Sequence, residues 1–400
     1  MSDAWTRVRE YAGRRETRVV GLMTGTSADG VDAALVEFMG GGIAARPSLR
    51  AYHETPLDDA LRSEILAAAS AESLGPEQLM DLDAELGERY ARAVGALLEQ
   101  AGIGATEVDA IGSHGQTIRH LPRAAGKGAR TWQIGSAAIL AERTGIAVVS
   151  DFRSRDTAAG GEGAPLVPIA DAWLFRSSEE SRVLLNLGGM ANLTWLPRGR
   201  GDEGAIAFDT GPGNALLDAL VGRRSAGRER FDRDGAFAAG GTADERLLAE
   251  LLADPFFAQP PPRSTGRERF GADFAARLAE RARALGLSEA DAARTAIELT
   301  AASIGEAIER YVRPRGAVDA VYASGGGVAN ATMMAALERR VAPARLHSLA
   351  ELGVPPAAKE AMAFALLAHL TLCGAPGNLP AATGARHRVV LGHLTPGAWR

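Results

Sequence analysis

The stretch GLMTGTSADGVDAALVEF, Gly21 to Phe38, carries Gly25 and Gly30, the hydroxyls of Thr24, Thr26 and Ser27, and the carboxylates Asp29 and Asp32 between two apolar runs. A tight hairpin turn needs one or two residues with unusual backbone angles, and Gly25 and Gly30 are expected to supply them. It does not need the rest. Backbone N–H groups exposed by small residues, with hydroxyls beside them, form a concave anion site whose commonest occupant is phosphate. An ordinary polar hairpin is the alternative reading of this stretch taken alone. Three further glycine-rich stretches, AGGEGAPLVP (159–168), DTGPGNALLDAL (209–220) and ASGGGVANATMMAAL (323–337), follow expected strands, and the last two lead into helices. That order points N–H groups and the positive helix end at an anion. None fits GxxxxGK[ST], GPGNAL lacks the third glycine of the dinucleotide fingerprint, and no HRD or DFG pair is present. Each could equally be a tight turn.

Carboxylates at strand ends are the next candidates, because open α/β sheets bind ligands beyond the carboxyl ends of their strands. Asp151 ends IAVVSD, Asp209 ends AIAFD, and Asp29 lies in the hairpin. Asp also caps helices and turns. At Asp209 the following TGPG already supplies the turn, so a carboxylate pinned there by Thr210 and the glycines is expected to face the ligand side. Glu360 falls in the first turn of an expected helix, where a carboxylate complements the dipole. His114, in SHGQT, reads either as a buried histidine or as a ligand contact. Arg153 and Arg155, beside a strand-end Asp and a glycine loop, suit an acidic group on a substrate or plain surface charge.

The elements that must position these residues alternate. Helical periodicity covers DDALRSEILAAAS and a long helix opened by Pro76; VDAIGSHG, TWQIG, SAAILAERTG and IAVVSDF read as strand, strand, helix, strand. The second half starts like the first: RVLLNLGGMANLTWL (182–196) is an apolar strand, a tip with Gly188 and Gly189, and another apolar strand. Helices follow near 242–253 and 288–312, then the strand VDAVYASGGG, a helix from Asn330, and a last helix from about Ala357 to Cys373. Two such hairpins, each opening an α/β unit, suggest a duplicated fold facing itself across a cleft. LPRAAGKGAR (121–130) and LPRGRGDEG (196–204) read as solvated loops.

The 400 residues are 46% hydrophobic and 23% charged, enough for two domains with a large core. A formal net charge of −5 provides no positive field for a polyanion, so nucleic acid is not an expected partner. The N-terminal MSDAWTRVREYAGRRETR lacks the apolar core of a secretion signal, and no apolar run reaches about eighteen residues. With a lone cysteine, Cys373, the expectation is a cytoplasmic protein that does not enter the membrane. The seven histidines never fall at metal-ligand spacing, so no dedicated protein metal site is expected.

GLMTGTSADGVDAALVE, IGSHGQTIRH, VSDFRSRDTAAGGEGAPLVP, LNLGGMANLT, FDTGPGNALLDA, FDRDGAFAAGG, RSTGRERF, SGGGVANATMM and KEAMAFALLAH together resemble, in order, the blocks of the 1,6-anhydro-N-acetylmuramic acid kinases, from about Gly21 to the C-terminus. The resemblance implies an α/β fold of the sugar kinase, heat-shock ATPase and actin type: two duplicated ribonuclease H-like domains with a nucleotide cleft between them. Residues 1–168 would form the first, with 374–400 a candidate to rejoin it, and 169–373 the second. It implies that Thr24, Gly25, Thr26, Ser27, Ala28, Asp29, Gly30 and Val31 contact ATP, with Gly188, Gly189, Gly325, Gly326 and Gly327 on the nucleotide's opposite side. In this family water attacks the anomeric carbon of the anhydrosugar, the 1,6 bridge opens, and the freed O6 takes the γ-phosphoryl group of ATP. The general base is the Asp of the FD[TC]GPGN block, here Asp209; Arg155 and Glu360 match positions near the sugar, and His114, Asp151 and Arg153 are carried with them as substrate contacts. Mg²⁺ is expected, held mostly by phosphates and water. Departures are small: Thr24 and Ala28 replace a frequent Ser and Leu, and Ser154 stands where a third Arg is frequent. Two alternatives stay open, a kinase of this fold for another sugar and a non-catalytic nucleotide-gated binding protein. A homodimer is one of the assembly states the sequence leaves open.

Overall fold

The computed structural model describes residues 8–71, 73–124, 126–199 and 204–397. The chain divides into two compact units, Met1–Ala170 with Ala357–Arg400, and Asp171–Pro356. In the first, β1 (Glu16–Met23), β2 (Gly30–Met39) and β3 (Arg46–Pro56) form an antiparallel meander. The chain continues through β4 (Ala110–Ser113), the hairpin of β5 (Gln116–Leu121) and β6 (Arg130–Ile134), and β7 (Val148–Ser150). β4 lies parallel to β1, β7 parallel to β4, and the final strand His393–Thr395 closes that edge antiparallel to β7. In the second unit β8 (Arg182–Leu187), β9 (Met190–Leu196) and β10 (Ile206–Pro212) make the meander, and β11 (Ala320–Ser324) and β12 (Arg345–Ser348) extend it in parallel.

The sheet orders coincide. From its meander edge the first reads β3-β2-β1-β4-β7 and the second β10-β9-β8-β11-β12, with the same strand senses. This is the duplicated ribonuclease H-like arrangement, although the halves share little sequence.

Alternation along β1 explains the layers of the first unit. Val20 and Leu22 join the core that holds Leu86, Tyr90 and Leu97 of the helix Pro76–Ala101. Gly21 faces the other way, and there the helix Lys359–Leu372 lies directly on the sheet. A Cβ at Gly21 would sit 1.8 Å from the Ala361 carbonyl oxygen, and one at Gly112 of β4 would sit 2.1 Å from that of Phe364. Only glycine allows so close an approach. The helix Glu289–Ala307 in the second unit starts on a capping box of Ser288 and Asp291, and the helix Ala331–Val341 starts on Asn330, whose Oδ1 accepts from the Met333 N–H at 2.9 Å. Pro76 opens its helix as expected and Gly102, in left-handed conformation, ends it.

Two features depart from the sequence reading. The helix Lys359–Leu372, expected within a second domain running to residue 373, packs on the first sheet, so the boundary lies near 356. Its residues Ala361–Leu370 are all buried, and a helix apolar all round gives no facing preference by which to assign it. β3, with exposed and half-buried positions alternating and two prolines, has no apolar run and was not expected. Of the two Arg/Gly loops, LPRGRGDEG falls at 200–203 outside the described residues, as do residues 1–7 of the N-terminal stretch; LPRAAGKGAR connects β5 and β6. No helix among the described residues is long and apolar enough to cross a membrane.

Candidate active site

The β1–β2 tip is a compact turn in which the Ala28 N–H donates to the Gly25 carbonyl at 3.1 Å. Its left-handed residue is Ala28, with φ 50°, and neither Gly25 nor Gly30 has positive φ. The expected reason for these glycines is therefore wrong. A Cβ at Gly30 would come within 3.1 Å of the Thr55 carbonyl oxygen on β3, so that glycine serves strand pairing. At Gly25 the nearest atom, Ser27 Oγ, would be 3.6 Å away, and the fold itself leaves room for a side chain. The hydroxyls are less available than their count suggested. Thr24 is buried and donates to the Tyr90 hydroxyl at 3.2 Å, while Ser27 bonds to the Asp29 carboxylate. Ala28 and Val31 are also buried, so Thr24, Ala28 and Val31 offer a ligand backbone only; Thr26, Ser27 and Asp29 are exposed.

A second group forms at the carboxyl ends of β4 and β7. His114 is buried against Phe364, ring centroids 4.6 Å apart, on the helix that Gly21 and Gly112 admit. Its Nε2 accepts from Arg153 Nε at 3.1 Å and Nη2 at 2.8 Å, which assigns the ring proton to Nδ1. Burial, and then the Arg153 charge, push the imidazole down to about 3, so it is neutral at any working pH. Arg153 Nη1 donates to the Gly163 carbonyl at 2.9 Å. Burial lowers this guanidinium to about 10, and the Glu360 carboxylate opposes that shift. His114, Arg153 and Glu360 are thus one electrostatic group. Asp151, also left-handed at φ 51°, uses Oδ1 to accept from the Ser154 N–H at 3.1 Å, and its Oδ2 lies 3.5 Å from His393 Nδ1. Arg155 is exposed on the short helix Ser154–Ala158. Two buried polar oxygens within four residues, Ser113 Oγ and Gln116 Oε1, have no hydrogen-bond partner among the described residues. Buried polar groups are normally satisfied, and two orphans so close together suit a polyhydroxylated ligand. The adjoining glycine loop is fixed by Asp156, which is fully buried and accepts from Gly163 N–H, Asn378 Nδ2 and Thr383 Oγ1, each at 2.8 Å.

In the second unit three turns converge. The N–H groups of Gly213 and Asn214 donate to the carbonyls of Gly189 and Gly188 at 2.9 and 2.8 Å, and Asn214 Nδ2 donates to the Leu187 carbonyl at 3.0 Å. Gly325, at φ 86°, lies so close that a Cβ would be 2.7 Å from the Leu187 carbonyl oxygen, and one at Gly327 would be 3.0 Å from Asn214 Oδ1. The structure thus brings Gly188, Gly189, Gly325, Gly326 and Gly327 together, with Gly325 and Gly326 exposed.

Asp209 sits where β10 is bulged against β9, with Gly211 at φ 148° beyond it. Its Oδ2 accepts from the Thr265 N–H at 2.8 Å and from Ser264 Oγ at 3.2 Å. Both bonds hold one oxygen, and Oδ1 takes no hydrogen bond among the described residues. Burial raises the carboxyl above its ordinary value; the Thr265 N–H, the Ser264 hydroxyl and the Arg263 charge pull it back. A buried, oriented carboxylate of enhanced basicity can act as a general base. Ser264, Thr265, Arg263 and Asn214 were not singled out from the sequence. The RSTGRERF block was the available signal, but only the fold places it beside Asp209. Among the described residues no group of three or more His, Cys, Asp and Glu side chains could hold a metal ion.

The family profile described as anhydro-N-acetylmuramic acid kinase matches residues 17–397. A protein of that name from Caldanaerobacter subterraneus subsp. tengcongensis is 42% identical over 393 residues, 97% of this chain and 99% of its own. Those from Salinibacter ruber and Gloeobacter violaceus are each 46% identical, covering 96% and 95% of this chain and 97% and 99% of theirs.

Proposed function

The chain belongs to the anhydro-N-acetylmuramic acid kinase family, and from that membership we propose that it opens the anhydro bridge of 1,6-anhydro-N-acetylmuramic acid with water and phosphorylates the released O6, with Asp209 as the base. This ATP-dependent step yields N-acetylmuramic acid 6-phosphate and ADP and serves the recycling of cell-wall sugar. The observation that carries the assignment of the base is the Asp209 carboxylate, fixed through Oδ2 by Thr265 and Ser264 and raised in basicity by burial.

Asp209 Oδ1 takes a proton from water as the water oxygen bonds to the anomeric carbon. The bond from that carbon to O6 breaks, and its electron pair stays on O6. O6 forms the new bond to the γ-phosphorus, and the bond to the β-γ bridging oxygen breaks to release ADP. Asp209 then returns its proton to solvent. A carboxylate suits the first step because positioning water and removing its proton at the moment of attack needs one oriented acceptor.

His114, Arg153 and Glu360 are assigned to the sugar and its carboxylate, with Arg153 as the cation and the neutral His114 fixing the guanidinium plane. The orphan oxygens Ser113 Oγ and Gln116 Oε1 are suited to sugar hydroxyl and amide groups. Asp151 and Arg155 are assigned to the same end of the sheet. The β1–β2 tip, through its backbone and Thr26, Ser27 and Asp29, and the Gly188–Gly189 and Gly325–Gly327 turns are assigned to the nucleotide. Mg²⁺ would arrive on the phosphate oxygens of ATP and on water, the ligands it takes in phosphoryl-transfer sites. When bound it neutralises charge on the transferring phosphoryl group.

ADP release with anhydro-N-acetylmuramic acid, against a panel of ordinary hexoses, tests the reaction. Turnover in ¹⁸O-water should place label on the anomeric carbon and none in the bridge to phosphorus. Hexose-driven ADP release, or an unlabelled anomeric oxygen, would overturn the proposal.

A further inference from the structure

Arg263 is nearly buried, at 8% exposure, and forms no ion pair among the described residues. Its donors go to backbone carbonyls instead. Nε donates to Asp209 at 2.8 Å, Nη1 to Gln259, Phe257 and Phe256 at 2.8, 3.1 and 3.3 Å, and Nη2 to Thr210 at 3.5 Å. The Asp209 N–H donates back to the Arg263 carbonyl at 3.1 Å. A two-bond ring therefore joins Arg263 to the bulged residue that carries the carboxylate. The next two residues in the chain, Ser264 and Thr265, deliver the donors that hold Asp209 Oδ2. Phe256, Tyr311 and Phe208 surround the guanidinium at 4.8, 5.3 and 5.5 Å from their ring centroids.

We propose that Arg263 is the positioning residue of the general base: its guanidinium ties the 256–265 loop to the β10 bulge and sets which Asp209 oxygen faces the water. The inference rests on the assignment of Asp209 above and extends it to a residue that touches no substrate. Burying a guanidinium without a counter-ion is costly, and a loop could be clasped to a strand by neutral donors. What a neutral clasp cannot provide is positive charge beside a buried carboxylate. The groups whose charge bears on Asp209 are Arg263, which lowers its proton affinity, and Glu268, which raises it; Arg310 and Tyr311 act on Arg263 itself.

The test compares Arg263→Met, Arg263→Lys and Asp209→Asn with the parent protein in kcat, in KM for ATP, and in the acid limb of kcat/KM for the sugar. Arg263→Met should lose about 100-fold in kcat, keep KM for ATP within about threefold, and move the acid limb to higher pH. Arg263→Lys retains the charge without the fork, so its limb should stay in place while kcat falls about tenfold. A folded Met variant with an unmoved limb assigns Arg263 a structural role only and overturns the proposal, whatever its rate. If the Met variant does not fold, the Lys variant decides, and near-normal kcat there also overturns it. Asp209→Asn separates the two levels: retained turnover removes the base and the positioning role together, whereas its loss beside an unaffected Arg263→Met removes the positioning role alone.

Discussion

Asp209→Asn should abolish catalysis while leaving the fold and the nucleotide affinity in place, and the hydrogen-bond geometry gives the reason. Thr265 N–H and Ser264 Oγ are donors aimed at one position, Oδ2. An asparagine satisfies them only with its carbonyl oxygen there, which puts its NH₂ at the Oδ1 position. A donor then faces the water where an acceptor is required. General-base catalysis contributes about 10²–10⁴-fold, so kcat should fall by that factor, about 3–5 kcal/mol of transition-state stabilisation. Stability should move the other way or not at all. Burial raises the Asp209 carboxyl, so between its unfolded and folded pKa the folded state binds more protons than the unfolded one, and stability falls as pH rises through that window. Removing the charge removes that loss, and the Asn variant should melt at or above the parent temperature at pH 7.5. The assays are sugar-dependent ADP release, calorimetric titration with a nonhydrolysable ATP analogue, and thermal melts. A rate within tenfold of the parent would refute the base assignment and reopen Asp151 and Glu360; a large loss of melting temperature would refute the hydrogen-bond argument.

Gly21→Ala should cost about 3 kcal/mol or more in a denaturant titration, because the added methyl meets the Ala361 backbone and the helix must lift off the sheet; a change under 1 kcal/mol would mean that the helix is not held so closely. Gly25→Ala should leave stability within about 0.5 kcal/mol, since its nearest neighbour would be at ordinary contact distance, yet weaken ATP-analogue binding at least tenfold. Unchanged affinity would remove the backbone of Gly25 from the phosphate site. Asp218, on the helix Ala215–Arg224, is pushed by burial from 3.8 up to about 6, with Arg267 opposing. Its folded state holds the proton longer, so its stabilising contribution is greatest in acid and lost as pH rises to about 6. Asp218→Asn should therefore gain about 1–2 kcal/mol at pH 8, after allowance for partial solvent screening, and almost none at pH 4. Equal gains at both pH values would contradict this.

Much of the fold was legible because it is local. The hairpins at 16–39 and 182–196 announce themselves by apolar runs flanking small polar tips, Pro76 and Asn330 mark helix starts by backbone chemistry, and each signal spans only a few residues. Asp209 was singled out because TGPG was expected to turn directly after a strand, but Thr210, Gly211 and Pro212 continue β10 past a bulge, so the local reason for choosing this carboxylate was wrong. The resemblance of ordered blocks to one kinase family rested on the same short segments. The roles of the glycines were not legible. Gly25 and Gly30 were read as turn-formers, but the turn's left-handed residue is Ala28, and Gly21 and Gly112 matter because a helix 250 to 340 positions away in sequence rests on them. A missing side chain looks the same in sequence whether it frees a dihedral angle or makes room for a neighbour, and only the neighbour's position distinguishes the two. The same holds for Arg263. Its type and number are plain in RSTGRERF, but that its cation is spent on carbonyls around Asp209 depends on a loop 54 residues farther along the chain. Sequence determined most of the elements, their order and the chemical groups available; tertiary structure decided the rest and which groups meet, because burial and close approach are properties of distances between segments and not of the segments themselves.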